Sequence, residues 1–148
     1  MHKGVVALES HNTVYKAAVI MEDAVVGSVI VLKNKKAVGI ITERDIVRKV
    51  IANKQNPSRV ELGAIMTSPL RVIPIEASIK EAAIAMHKYD IKKLPVMNSK
   101  RKIVGLITET DILSTYPSLI DLMVEEEIIK RYDPNLADLS HYHTDVNR

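Results

Sequence analysis

The heptapeptide GIITERD, residues Gly39–Asp45, returns 66 positions later as GLITETD, residues Gly105–Asp111. Each copy follows an apolar, β-branched run and precedes apolar residues that are spaced as on one face of a helix. This change of spacing predicts a strand that ends at the Thr and a helix that begins there. In each copy the Thr hydroxyl can accept from the backbone N–H three residues on, while the Asp reaches back to the Thr N–H. The repeated phrase therefore predicts two equivalent capping boxes.

The paired Thr and Asp residues have a second interpretation, as parts of two ligand sites. A helix N-terminus presents N–H groups and the positive end of a dipole, which favour an anion. Thr42 and Thr108 would donate to a phosphate or sugar oxygen, and Asp45 and Asp111 would accept from the hydroxyls of a ribose. Capping alone is satisfied by any of Ser, Thr, Asp or Asn. Because both copies use the same pair, the repetition favours the ligand interpretation over simple helix caps.

Length and composition narrow the class of protein. A chain of 148 residues, 47% apolar and 26% charged, suits one compact domain or two small halves that share a core. The absence of Cys excludes disulfide frameworks, thiolate zinc sites and thiol catalysis. The longest apolar stretch, Ala24–Leu32, is nine residues, far short of the roughly 20 that a membrane span needs. With no signal peptide pattern at the N-terminus, we expect a cytoplasmic protein that does not enter the membrane.

Charge is distributed unevenly along the chain. Residues 1–113 carry 18 basic and 11 acidic side chains, whereas residues 114–148 carry 3 and 7. The basic body suits a small anionic ligand. Nucleic acid is an unfavoured partner, because the chain has no Phe or Trp to stack on bases and no recognition helix with a dense basic face.

The remainder of the chain repeats in the same order as the heptapeptide. In the first unit, strands are predicted at residues 5–8, 28–32 and 37–41, with a helix after the first strand and another after the third. The second unit follows at an offset of 65 residues, which becomes 66 after the hairpin, so the length change falls in a turn. We predict an α+β fold of two β-α-β-β-α units. The predicted boundaries are repeat one at 1–53, a linker at 54–62, repeat two at 63–116, and a C-terminal helix and polar tail at 117–148.

Two units of this kind, each ending in Gly-x-x-Thr-x-x-Asp, resemble a tandem pair of cystathionine-β-synthase (CBS) domains, or stand-alone Bateman module. The segments Met66–Pro69 and Leu94–Val96 also fit the family pattern, and the resemblance covers about residues 1–116. It implies that the halves pack by a pseudo-twofold axis and leave two clefts. It also implies that the clefts bind adenosine-containing ligands, among them AMP, ADP, ATP and S-adenosylmethionine, and that two chains form a homodimer.

The resemblance also implies roles for single residues. The ribose-binding Asp corresponds to Asp45 and Asp111, the Ser or Thr that contacts phosphate or ribose to Thr42 and Thr108, and a basic pair that approaches phosphates to Lys92 and Lys93. The two units differ in their charges, since Arg44 of the first phrase is Thr110 in the second, and Gly27-Ser28 stands where the second unit has its lysines. We therefore predict unequal clefts, with phosphate read by Arg44 in the first and by the two lysines in the second.

No motif in the chain predicts catalysis. The sequence has no phosphate-binding Gly-rich loop with Lys-Ser/Thr, no His-Glu-x-x-His and no nucleophile with a nearby base, so we expect no enzyme. His141 and His143 stand two apart in the polar tail and make a poor metal site without a third ligand, so we expect no metal. Residues 118–131 carry an apolar stripe, which would pack on its own module or form a helix for a dimer or partner.

Three functions stay open on the sequence alone. The first is a sensor that binds an adenine nucleotide or S-adenosylmethionine and signals occupancy to a protein partner through a population shift. The second is a structural or protein-interaction module with vestigial clefts. The third is a nucleic-acid-binding regulator, which rests on the basic body alone.

Overall fold

The computed structural model describes residues 4–115 and confirms the α+β class. The chain divides into two compact units, residues 1–108 and 109–148. In the second unit the described part is helix α5, Glu109–Thr115. The described part of the first unit contains the strands β1 (Ala7–Glu9), β2 (Ser28–Lys33), β3 (Lys36–Thr42), β4 (Ile73–Pro74), β5 (Lys93–Met97) and β6 (Ile103–Thr108), and the helices α1 (Val14–Ala24), α2 (Glu43–Asp45), α3 (Leu62–Ile65) and α4 (Ile79–Tyr89).

Each repeat contributes one three-stranded sheet, and the two sheets have the same topology. β1 is parallel to β2 and β2 antiparallel to β3, just as β4 is parallel to β5 and β5 antiparallel to β6. The register shifts at equivalent points, between Val31 and Leu32 in the first sheet and between Val96 and Met97 in the second. The duplication read from the sequence is therefore present in the strand pairing, down to its irregularities.

Small residues at matching positions of α1 and α4 lie in the core. Ala17 of α1 is fully buried and Ala82 of α4 is 2% exposed, and Met21 and Met86 accompany them at 4% and 6%. Burying these apolar side chains supplies the main favourable free energy of the fold. Leu62 of α3, a short helix that the sequence did not predict, is also fully buried and joins the core of the first repeat.

Gly39, which opens the first copy of the phrase, is required by a close approach of the main chain. The segment that leads into the second repeat runs beside β3, where Ile40 and Thr67 exchange two backbone hydrogen bonds of 3.1 and 2.9 Å. A Cβ at Gly39 would lie 2.7 Å from Met66 Sδ and 2.9 Å from the Thr67 carbonyl oxygen. The missing side chain therefore lets the segment carrying Thr67 pair with β3.

The helix after β3 begins where predicted but is not regular. α2 continues directly into a π-helical segment, Ile46–Ile51, whose hydrogen bonds reach five residues back, as from Ala52 N–H to the Val47 carbonyl at 2.8 Å. Ile46 and Val50 remain buried in the core. Segments of this kind are rare and often occur at functional sites.

Three further outcomes concern boundaries. Strands β1 and β4 are shorter than predicted and begin two or three residues later. No helix among residues 4–115 is long and apolar enough to cross a membrane. The predicted helix at 118–131 and the histidines at 141 and 143 lie outside the described residues.

Candidate ligand-binding clefts

A cavity of about 370 Å³, here called the larger cleft, lies where the first repeat meets the start of β5 in the second. Its volume falls within the range of about 300–1,000 Å³ that is usual for small-molecule sites. It brings together three residues that the sequence predicted for the first cleft with two predicted for the second. Its lining includes Thr42, Arg44 and Asp45 from the first repeat, and Asp90, Ile91, Lys92 and Lys93 from the second.

The predicted capping box is present at the edge of this cleft. Asp45 Oδ2 accepts from the Thr42 N–H at 3.0 Å and from the Thr42 hydroxyl at 3.1 Å, and the Asp45 N–H donates to Thr42 Oγ1 at 3.2 Å. Thr42 thus directs its hydroxyl proton to the carboxylate in this structure, and not into the cavity. A ligand that accepts from Thr42 must take over this proton.

Lys49 holds the other oxygen of the same carboxylate. Its ammonium lies 3.0 Å from Asp45 Oδ1 and donates to the Ile65 carbonyl at 2.8 Å. An ionised carboxylate offers about four acceptor positions, and three of those on Asp45 are therefore taken. A ribose can use the fourth directly, and it gains a second only where Thr42 or Lys49 gives way. The sequence places Lys49 one turn after Asp45, a spacing that suits an ion pair, although this pair was not among the predictions.

The expected placement of the two lysines was wrong for Lys92 and incomplete for Lys93. The sequence predicted both in the cleft of Thr108, their own repeat's threonine. Instead, Lys92 lines only the larger cleft, with Thr42, and Lys93 lines both this cleft and a second cavity that contains Thr108. The pseudo-twofold arrangement sets the segment before the second strand of one repeat against the capping box of the other. Arg44, Lys92 and Lys93 therefore lie around one cavity, and Lys93 borders the second cavity as well.

A second cavity, the smaller cleft, has a volume of about 140 Å³. In its lining the two repeats exchange the parts that they contribute to the larger cleft. The first repeat contributes Val25, Val26, Gly27 and Ser28, which stand at an offset of 65 from Asp90, Ile91, Lys92 and Lys93. The second repeat contributes Leu106 and Thr108, the counterparts of Ile40 and Thr42, together with Lys93. This cleft is therefore predominantly apolar, and Lys93 is the one basic residue in its described lining.

Asp111, predicted to bind a ribose, lies in α5 of the second unit and is partly buried. Its backbone carbonyl accepts from the hydroxyls of Ser114 and Thr115 at 3.0 and 2.9 Å. Its role in ligand binding stays a prediction.

The N-terminus of α4 provides an internal reference, since it carries a capping box that lines neither cleft. Glu81 Oε2 accepts from the Ser78 N–H at 2.7 Å and from the Ser78 hydroxyl at 2.9 Å, and the Glu81 N–H donates to Ser78 Oγ at 3.1 Å. The hydrogen bonds from the Ser78 backbone and then its side chain lower the pKa of Glu81 below its ordinary value of 4.5. The box at α4 thus shows what capping alone looks like in this fold.

The larger cleft also contains residues that the sequence analysis did not single out. Glu43 and Asp90 add two carboxylates, while Ile40 and Ile91 add apolar surface. Thr67 arrives through its backbone pairing with Ile40. Asp90 could have been predicted from the sequence because it stands two residues before Lys92. Thr67 could not, because its position depends on a long-range backbone pairing with Ile40. Among residues 4–115, no group of three or more His, Asp or Glu is placed to hold a metal ion.

Comparison with known sequences extends the resemblance. A profile of the CBS domain matches residues 1–52 and 62–118. The uncharacterized protein MK0525 of Methanopyrus kandleri is 34% identical over 120 residues, which cover 80% of this chain and 61% of that protein. Hypoxic response protein 1 of Mycobacterium tuberculosis is 29% identical over 118 residues, which cover 79% and 82%. The chain spans 61% of MK0525 and only 36% of protein MJ1404 of Methanocaldococcus jannaschii, so these relatives contain further sequence.

Solved structures agree in fold. The CBS domain pair of protein MJ0100, in complex with 5′-methylthioadenosine and S-adenosylmethionine, matches with a TM-score of 0.68 and 28% identity over 77% of this chain and 92% of that one. Hypoxic Response Protein I, with two coordinated zinc ions, matches at 0.65 and 28% over 78% and 94%. Protein PAE2072 of Pyrobaculum aerophilum, complexed with AMP, matches at 0.71 over 84% and 95%, but at 21% identity it supports the fold alone. With its two matched segments and its two sheets of one topology, the chain belongs to the CBS domain family.

Proposed function

We propose that this protein is a regulatory module that binds an adenosine-containing ligand, such as AMP, ADP, ATP or S-adenosylmethionine, in the larger cleft. One observation carries the proposal: the cavity joins the Thr42–Asp45 capping box of one repeat to the Asp90–Lys93 segment of the other. The complex of the MJ0100 domain pair, at 28% identity, supports an adenosyl ligand for this class of site.

The lining offers a partner for each part of such a ligand. Ile40 and Ile91 supply apolar surface for a purine ring, and Asp45 supplies an acceptor for a ribose hydroxyl. Three cations, from Arg44, Lys92 and Lys93, surround the same space. A phosphate gains charge-assisted hydrogen bonds from such groups, with Arg as a planar fork and Lys as a point charge.

Carboxylates in the same lining offset this positive charge. Glu43, Asp45 and Asp90 carry as many formal negative charges as the three cations carry positive ones, so net charge alone would not attract every anion to the cleft. A cationic sulfonium such as that of S-adenosylmethionine is compatible with these acids, whereas a nucleotide is compatible with the bases. Electrostatics therefore decides whether the cleft prefers S-adenosylmethionine or a nucleotide, and the affinities of a series of charged ligands measure that preference.

We also propose that the protein is not an enzyme. The residues around the larger cleft suit binding, and ligand occupancy would act on a protein partner by favouring one of two conformations. Such a ligand shifts the equilibrium only by its difference in affinity for the two states. We further propose a cytoplasmic location, in keeping with a chain that lacks Cys.

A ligand panel tests the proposed function. Adenosine, AMP, ADP, ATP, S-adenosylmethionine and NAD are titrated by calorimetry, and melting temperatures are recorded with and without each compound. A ligand that binds only the folded state raises its stability, so at least one adenosyl compound should raise the melting temperature. If every compound leaves both readouts unchanged, the clefts are vestigial and the protein is a structural or interaction module.

A homodimer is the assembly that we propose. Tyr15 and Val19 of α1 are 57% and 40% exposed, and Val47 and Ile51 of the π-helical segment are 58% and 54% exposed. Apolar side chains four residues apart on two helical elements suit an isologous interface. Sedimentation should show a dimer at tens of micromolar, roughly where interfaces of standard size hold, and a Val47→Asp/Ile51→Asp variant should be monomeric. A monomeric wild-type protein at that concentration rejects this assembly.

A further inference from the structure

Two residues line both cavities, and they lie next to each other. Gly27 and Lys93 each belong to the larger and to the smaller cleft, whereas every other described lining residue belongs to one of them. A Cβ built on Gly27 would lie 2.6 Å from Lys93 Nζ. The ammonium therefore occupies the space that a side chain at position 27 would fill, at the wall between the clefts.

The surroundings of Lys93 explain why its head group rests at this wall. Its backbone pairs with Thr108 of β6, which lines the smaller cleft. On the other side, Glu43 of the larger cleft brings Oε2 within 3.2 Å of the same Cβ position on Gly27. Lys93 is partly buried, whereas Lys92 is exposed and lines only the larger cleft. One lysine is thus placed to serve two sites, and its neighbour is placed to serve one.

We propose that Lys93 couples the two clefts, so that a phosphate bound in one weakens the binding of a phosphate in the other. This inference rests on the proposed function and adds a regulatory property to it. The ammonium of Lys93 is the one basic group in the described lining of the smaller cleft, while the larger cleft also has Arg44 and Lys92. When a first nucleotide draws Lys93 into the larger cleft, the smaller cleft loses its cation. The module therefore responds to ligand over a wide concentration range, in two steps.

Isoleucine methyl groups provide an NMR reporter for each cleft. Ile40 lines the larger cleft and Ile30 lines the smaller one. Titrating AMP into protein with labelled isoleucine methyl groups, followed by NMR, should shift Ile40 first and Ile30 at a higher concentration. In an Arg44→Ala/Asp45→Ala variant the larger cleft is disabled, and Lys93 stays with the smaller one. Ile30 should then shift at a lower AMP concentration than in wild type, by roughly 5–150-fold, the usual range of coupling between sites.

Lys93→Met separates this coupling from direct repulsion between two nucleotides. In the Lys93→Met background, disabling the larger cleft should leave the Ile30 midpoint unchanged, because no shared cation remains. Lys92→Met is the matched control, since it should weaken the larger cleft and leave the coupling in place. Uncharged adenosine should show no coupling in any variant. Gly27→Ala keeps the lysine but fills its shared position, so it should reduce the coupling as well.

Several results overturn the proposal while the proposed function stands. If one AMP saturates the protein and Ile30 never shifts, the smaller cleft is no ligand site. If coupling survives in Lys93→Met and weakens with salt, the two phosphates repel each other directly. If disabling the larger cleft weakens the smaller one, Lys93 bridges two ligands and the sign of the coupling is opposite. Failure of every adenosyl compound to bind, in contrast, rejects the proposed function itself.

Discussion

The larger and smaller clefts are built from equivalent parts of the two repeats, yet the basic side chains are concentrated around the larger one. In the larger cleft the four-residue segment that leads into the strand and includes its first residue is Asp90-Ile91-Lys92-Lys93, whereas in the smaller cleft it is Val25-Val26-Gly27-Ser28. Sheet topology and bulge position are the same on both sides. The duplicated scaffold has therefore been kept, while this short segment and the presence of Arg44 in the larger cleft make the two sites differ in charge.

The largest expected effect comes from removing the Asp45 carboxylate. Asp45→Ala should weaken an adenosyl ligand in the larger cleft by about 1.5–3 kcal/mol, the range for hydrogen bonds to a charged group. The fold should survive, because an acid in the first turn of a helix and an i,i+4 ion pair each contribute about 1 kcal/mol or less. Calorimetry on the variant measures the loss of affinity, and urea unfolding measures the loss of stability.

Glu81→Ala is the matched control for this change. It removes the same position of the same kind of capping box, at a helix start that lines neither cleft. The control should lower the melting temperature of the free protein and leave the affinity unchanged. Equal affinities for wild type and Asp45→Ala mean that Asp45 is a helix cap and that the two clefts do not differ through ribose binding.

Removing a lysine should have a smaller effect that depends on phosphate. Lys92→Met should reduce the affinity for AMP by about 1 kcal/mol, or roughly fivefold, because an exposed ammonium is partly screened by water. Adenosine should bind as tightly as to wild type. Lys80 is an exposed residue of α4 that lines neither cleft, so Lys80→Met is the control for loss of one positive charge. An equal loss for adenosine and AMP places Lys92 away from the phosphate.

The edge of the smaller cleft provides a prediction about stability. Val25 ends α1 with φ 53°, in the left-handed region, and is 90% exposed, whereas its counterpart Asp90 ends α4 with φ 51°. A β-branched residue is strained there, and Asn or Asp tolerates the conformation better. Val25→Asn should therefore raise the free energy of unfolding by about 0.5–1 kcal/mol. Asp90→Val should lower it, and urea unfolding of both free variants checks the pair.

The smallest effect concerns pH and the reference box at α4. Because hydrogen bonds from Ser78 lower the folded pKa of Glu81 below 4.5, the unfolded chain binds the proton more tightly. The stabilisation by Glu81 is therefore complete above that ordinary value and is lost as pH falls through the lowered pKa. The melting temperature of Glu81→Gln should differ from wild type near neutral pH and approach it as the pH falls below the lowered pKa. If the difference in melting temperature does not change with pH, the charge of Glu81 does not contribute to the stability of this capping box.

Much of this comparison was readable from the sequence because it depends on local spacing. A Thr or Ser followed three residues later by an Asp or Glu at a helix start can form a capping box, as Thr42 does with Asp45 and Ser78 with Glu81. The offsets of 65 and 66 identified the equivalent strands. These features need only the periodicity of strands and helices.

The errors came from features that depend on long-range packing. Which capping box faces Lys92 follows from the pseudo-twofold arrangement, and no spacing within a repeat contains that information. The carbonyl that holds Lys49 belongs to Ile65, sixteen residues along the chain. The need for Gly39 arises from Met66 and Thr67, which approach it from the next repeat. The π-helical geometry of Ile46–Ile51 was not predicted either, because helix propensity does not distinguish a π-helical from an α-helical turn.

The central claim is that the larger cleft, and not the smaller one, is the primary adenosyl site. A crystal structure of the protein with one equivalent of AMP tests it most directly. We expect the nucleotide in the larger cleft, with its ribose within hydrogen-bond distance of Asp45 and its phosphate beside Lys92 or Arg44. AMP found only in the smaller cleft, or in the larger cleft with its phosphate turned away from all three basic side chains, contradicts the account.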